Sequence, residues 1–163
     1  MIQFESIGKI HRITTTQNLP VKLDKAWAFF SSPKNLATIT PDALNFKILS
    51  GADKKIFPGQ IIQYKVNPLP IFTSTWVTEI TYVQDQKYFV DEQRYGPYEF
   101  WHHKHFFKAI ENGTQIIDVV DFKVSFGWLG RKLSNQLIKR ELKKIFTYRN
   151  DKLIGLFGVY KNN

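Results

Sequence analysis

Apolar residues in the last part of the chain recur with the period of an α-helix. At about 100° per residue, Ile138, Leu142, Ile145, Phe146, Leu153, Leu156 and Phe157 share one stripe, while Arg140, Lys143, Lys144, Asp151 and Lys152 fall outside it. The spacing predicts a long amphipathic helix within Phe126–Phe157. From Leu129 onward it would run roughly 40 Å at 1.5 Å per residue. Leu129, Leu133 and Leu137 lie on a different flank, so the first turns meet another neighbour or bend. Arg149 interrupts the apolar stripe, where a guanidinium needs a partner or a route to water.

Upstream the period changes to two. Strands are predicted over Ile10–Leu19, Leu44–Leu49, Gln60–Asn67, Thr73–Val83, Tyr88–Tyr95, Tyr98–Ala109 and Thr114–Phe126, with Pro and Gly as punctuation between most of them. Two short helices, Leu23–Ser31 and Pro33–Ile39, follow the first strand and form a corner; Pro is favoured in a first turn and Pro41 forbids a long continuation. About seven strands joined by short turns imply an antiparallel sheet. A sheet with one long terminal helix must curl its apolar face around that helix, which gives an α+β fold with space between the two.

Composition narrows the class. The chain has 163 residues, 43% of them hydrophobic, enough for one packed core and short for two, so one domain over 1–163 is expected. It has no cysteine, which excludes disulfides, a thiolate nucleophile and Cys-ligated metal. With no apolar run of membrane-spanning length and no leader-like N-terminus, a cytoplasmic protein is expected. The formal charge is +9, and nine basic residues against two acids lie between Arg131 and Lys161. The excess therefore belongs to the final helix, as a solvated face or as a peripheral contact with an anionic membrane or acidic partner. No nucleic-acid module accompanies it, so nucleic acid is not expected as a partner.

The segment Trp101–Phe107 carries the candidate chemistry. Strand alternation puts Trp101, His103, His105 and Phe107 on one face and His102, Lys104 and Phe106 on the other. If Asn112-Gly113 form a two-residue loop, Glu111 pairs with Thr114. Phe107 then lies opposite Asp118, His105 opposite Val120 and His103 opposite Phe122, with His105 a diagonal neighbour of Asp118. Three readings follow: a metal site of His103, His105 and Asp118; an acid–base pair of His105 and Asp118; or a satisfied polar network on a concave wall. Neither a metal nor a cofactor is assigned. Arg149 needs an acceptor on the sheet; Asp118 shares the parity of Val120 and Phe122 and is the expected one, with Asp121, Asp91 and Glu92 as further candidates. The facing of Asp91 and Gln93 depends on how the Gly96-Pro97 turn is built.

These residues carry a family resemblance. Trp27-Ala28-Phe29-Phe30-Ser31-Ser32-Pro33, Ile39-Thr40-Pro41, Trp76-Val77-Thr78-Glu79-Ile80 and Phe89-Val90-Asp91-Glu92-Gln93 with Gly96-Pro97-Tyr98 resemble the SRPBCC superfamily. So do Trp101-x-His103-x-His105-x-Phe107, Gly113-Thr114, Asp118, Phe126-Gly127-x-Leu129-Gly130 and Ile145-Phe146-x-Tyr148-Arg149, in the same order; Ser125 stands where the pattern has proline. The similarity is to START-like members, near the polyketide cyclase/dehydrase and coenzyme Q-binding groups. It implies a helix-grip fold whose internal cavity takes a lipid-like or aromatic small molecule. On this sequence the expected ligand-binding residues are Tyr64, Trp76, Trp101, His103, His105, Asp118, Phe122, Leu142, Phe146 and Arg149. In an enzyme of this kind, His105 assisted by Asp118 would serve a cyclisation, dehydration or hydrolysis.

Overall fold

A computed structural model of the chain describes residues 1–69, 72–124 and 135–161. Its elements are β1 (Ile2–Ile7), β2 (Ile10–Leu19), α1 (Leu23–Phe30), 3-10 helices at Pro33–Ile39 and Asp42–Leu44, β3 (Lys47–Ser50), β4 (Gln60–Leu69), β5 (Phe72–Gln84), β6 (Tyr88–Tyr95), β7 (Tyr98–Ile110), β8 (Gly113–Val124) and α2 (Asn135–Phe157). One antiparallel sheet in the order β1-β2-β8-β7-β6-β5-β4-β3 contains all eight strands. Chain order is kept except that β8 returns to pair with β2, so early and late strands meet in mid-sheet. This is the expected α+β architecture, with one strand more than the pattern gives.

The extra strand is β1. Only Ile2 and Phe4 mark its inner face before Glu5, Ser6 and Gly8, too short an alternation to stand out, and pairing with β2 supplies what local pattern lacks. The strand expected at Leu44–Leu49 also shifts: Asp42–Leu44 closes as a 3-10 turn on the left-handed Asn45 (φ 44°), and β3 starts at Lys47. The first turns of the expected helix, with Leu129, Leu133 and the Phe126-Gly127-x-Leu129-Gly130 motif, lie outside the described residues.

Three apolar clusters form the core among the described residues, and two of them join α2 to the sheet. Ile138, Leu142 and Phe146 pack on Ile13, Val120 and Phe122 of the central strands. Leu153 and Phe157 join Trp27, Phe89 and Phe107 around α1, where the Phe157 ring meets Phe29 edge-on at 5.2 Å. Ile62, Tyr64, Val66, Trp76 and Ile80 form the third cluster on the far arm of the sheet. Leu156, expected on the apolar stripe, is 46% exposed, because Leu153 and Phe157 already supply the inward row of the last turn.

The β7–β8 register differs by two residues from the expected one. His105 faces Asp118, His103 faces Val120, and Trp101 faces Phe122. The loop is Glu111-Asn112, with Asn112 in the left-handed region at φ 57°, and Gly113 already belongs to β8. An even offset leaves every side chain on its expected face.

Candidate functional site

Between α2 and the β4–β7 part of the sheet lies a cavity of about 200 Å³. Ligand pockets commonly span about 300–1,000 Å³, so this one suits a small guest. One wall is aromatic: Tyr64 stacks on Trp76 at 5.9 Å, and Trp76 meets Trp101 edge-on at 5.2 Å. The opposite wall is the inner face of α2, with Ile138, Leu142, Ile145, Phe146 and Arg149. Phe30, Leu36, Ile39 and Thr40 close one end, and Pro97 and Tyr98 lie at another edge. Strand alternation from β4 to β7 and the 3.6-residue period of α2 aim these residues at one space.

Polar groups gather on the β6–β7 wall. The imidazoles of His103 and His105 lie with ring centroids 3.7 Å apart, held between two carboxylates. Behind them, Asp118 Oδ1 is 3.1 Å from His103 Nε2 and 2.7 Å from His105 Nδ1. The second approach is too oblique for a hydrogen bond, which leaves His105 Nδ1 in an electrostatic contact only. Thr15 Oγ1 donates to Asp118 Oδ2 at 3.3 Å. On the cavity side, Asp91 Oδ2 lies 2.8 Å from His105 Nε2 and 3.5 Å from His103 Nδ1. The Phe89 ring stacks on His105 at 4.1 Å.

Burial and charge oppose each other in this cluster. Burial would raise the Asp118 carboxyl, but the His103 hydrogen bond and the charge of both histidines outweigh it and hold it well below the usual carboxylate range. Asp91 is lowered too: burial again pushes up, and His103, His105 and then Arg149 pull down. Burial acts to lower His105, yet Asp118 and Asp91 raise it above its ordinary value. His103 goes the other way, lowered by burial and by the neighbouring His105 charge. The two histidines are thus pushed apart, with His105 the better proton holder.

Of the ten residues expected to bind a ligand, Tyr64, Trp76, Trp101, His103, His105, Leu142, Phe146 and Arg149 line the cavity. Asp118 and Phe122 do not; Asp118 sits behind the histidines, and Phe122 packs against Ile13 and Val120. The expected pairing of Arg149 with Asp118 does not form. Asp118 is occupied by the histidines and Thr15, while the guanidinium of Arg149 lies over the Phe146 ring at 5.1 Å and its Nε has no hydrogen-bond partner. Of the further candidates, Asp121 is on the convex face with Arg12, Glu92 pairs with His102 and Arg94, and Asp91 is held by His105.

Asp91 is the site residue that sequence reasoning left unplaced. It shares the inward parity of Phe89, and that signal becomes usable once the Gly96-Pro97 turn is known. Gln93 settles the turn: its Nε2 donates to the Tyr98 carbonyl at 2.7 Å, and its Oε1 accepts from the Tyr98 amide at 3.2 Å. Asp91, His103 and His105 each offer one ligand atom, all within 4.8 Å of one another, a donor set that could hold a divalent cation.

No family model matches the sequence, and no curated protein matches it either. Solved structures do match. A structural-genomics protein of Chromobacterium violaceum superposes with a TM-score of 0.70 at 10% identity, over 91% of this chain and 99% of its own. An aromatase/cyclase from a Streptomyces species gives 0.68 at 16% identity, over 90% and 93%. A START superfamily protein of Mycobacterium smegmatis gives 0.68 at 10% identity, over 90% and 96%. At these identities the likeness is one of fold. The curved antiparallel sheet closed around a long C-terminal helix is the helix-grip fold of SRPBCC proteins, and this chain has that fold.

Proposed function

We propose that the chain binds a small hydrophobic molecule in the cavity between the sheet and α2. The observation that supports this is the composition of the walls, aromatic and aliphatic side chains with polar groups limited to a few positions such as Asp91, His103, His105 and Arg149. Apolar walls provide burial at about 25 cal/mol per Å², and a few polar groups set orientation. In this reading the protein works in the cytoplasm as one domain and needs no cofactor. The exposed Arg140, Lys143, Lys144 and Lys152 on the outer side of α2 offer a secondary contact with anionic membrane. No helix among the described residues is long and apolar enough to cross a membrane.

Trp76 and Trp101 at the cavity make the test direct. Titration with aminoanthracene, a neutral fluorescent hydrophobe, should quench tryptophan emission saturably. Leu142→Trp, which fills the cavity from the helix side, should weaken binding about tenfold or more. Non-saturable quenching, or a Leu142→Trp variant that binds as wild type, would sink the reading.

A second reading is favoured by the two imidazoles held between carboxylates at the cavity wall. Here His105, oriented by Asp118, transfers a proton in a cyclisation, dehydration or hydrolysis; one fold neighbour is named an aromatase/cyclase. His105→Gln separates the readings once a guest is known. Conversion followed by mass spectrometry should fall by about a hundredfold or more in an enzyme, whereas a binding protein should return its guest unchanged with either residue.

A further inference from the structure

The cavity wall carries a guanidinium that no carboxylate contacts directly among the described residues. Arg149 is 9% exposed and lines the cavity, yet among the described residues it has neither an ion pair nor a hydrogen bond. Its contact with the Phe146 ring at 5.1 Å replaces only part of the hydration that a guanidinium gives up on burial. Among the described residues, the carboxylates that line the same space, Asp91 and Glu141, each already have partners. Asp91 is held by His105 and His103, and Glu141 by Lys144 at 2.9 Å and Arg140 at 3.5 Å. Behind the wall, Asp118 is held by both histidines.

A second donor on the cavity wall is also unanswered. The indole Nε1 of Trp76 is buried without a partner, although buried indole N–H groups normally find one. The Tyr64 ring stacks on Trp76, and Tyr64, Trp76 and Arg149 line the same cavity. The Tyr64 hydroxyl lies 2.8 Å from Thr78 Oγ1 and is hydrogen-bonded to neither unpartnered nitrogen. On this wall the Arg149 Nε–H and the Trp76 indole N–H meet no acceptor among the described residues.

We infer that the guest is an apolar monocarboxylic acid whose carboxylate docks on Arg149 and whose body lies along the aromatic wall of Tyr64, Trp76 and Trp101. A carboxylate accepts only, carries the charge that the guanidinium lacks, and matches its planar fork. A neutral carbonyl would accept hydrogen bonds but bring no charge to the guanidinium. The negative charge of Asp91 does not forbid an incoming anion, since the adjoining imidazoles face it directly. This inference rests on the cavity being a binding site, and the experiment separates the two.

Octanoic acid, octanamide and octanol share one chain and differ in the head group. Competition of each against aminoanthracene should show octanoate binding about tenfold tighter than the other two. Arg149→Met should remove that preference while octanol affinity stays within about twofold, and Trp76→Phe should reduce it in part. Because Arg149 has no ion pair or hydrogen bond among the described residues, Arg149→Met should melt at or above the wild-type temperature; a clear fall would mean that the guanidinium is structural and overturn the inference. Equal binding of the three probes to the wild type would overturn it too, leaving the cavity as a binding site, and this holds even if the variants fail to fold. Failure of all three to compete, while aminoanthracene binds, would also overturn it and spare the cavity. Failure of aminoanthracene itself to bind would overturn both.

Discussion

On the convex side of the sheet, the Asp121 carboxylate accepts hydrogen bonds from Arg12 Nε at 2.6 Å, Arg12 Nη2 at 2.9 Å and Lys104 Nζ at 3.3 Å. Burial alone would raise this carboxyl, but the Arg12 hydrogen bond and charge, joined by Lys104, hold it below its ordinary value. A carboxyl depressed in the folded state contributes stability that is present above its unfolded value and lost as pH falls through its folded value. Arg12→Gln should therefore cost about 1–2 kcal/mol at neutral pH. In urea unfolding the gap from wild type should shrink below about pH 4; a gap independent of pH would mean that packing, not charge, holds the pair. The concave face is read differently. Alternation places His103, His105 and Asp118 together without knowledge of pairing, because an even register change preserves faces. Which atom meets which partner depends on register and helix depth, and so the pattern does not show that His103 and His105 take Asp118 in place of Arg149.

At the scale of elements, the β7–β8 hairpin shows why its register was misread. Asn112-Gly113 has the composition of a hairpin loop, and a glycine there suggests positive φ. Gly113 instead answers to tertiary packing: a Cβ at this position would sit 2.2 Å from the Leu19 carbonyl oxygen and 3.0 Å from the Tyr160 ring. That requirement comes from β2 and the C-terminal residues, which no local window contains. Gly113→Ala should destabilise by about 1–3 kcal/mol as the end of β2 or Tyr160 gives way. Thermal melting checks this, and a melting temperature equal to wild type would show that the close approach relaxes without cost. The long helix was legible over Ile138–Phe157 because its stripe faces one core; β1 was not, because an edge strand with two inward apolar residues looks like any short segment.

At the scale of the molecule, the expected curved sheet and its helix follow from element order, while the cavity follows from how three clusters fail to merge. Tyr98 and Trp101 pack against both the central cluster and the cluster on β4–β5, and they bridge the two across the space that Arg149 faces. A protein with a continuous core opens as one unit; a core divided by a cavity permits sub-global opening. Amides of β4 and β5 should exchange with deuterium through a lower-energy opening than those of β2, β7 and β8, as read by mass spectrometry on peptides from each group. Uniform protection would mean that the bridge is sufficient to make folding all-or-none. A guest filling the space would complete the missing contacts, so that occupancy changes not only how stable the fold is but how many pieces it unfolds in.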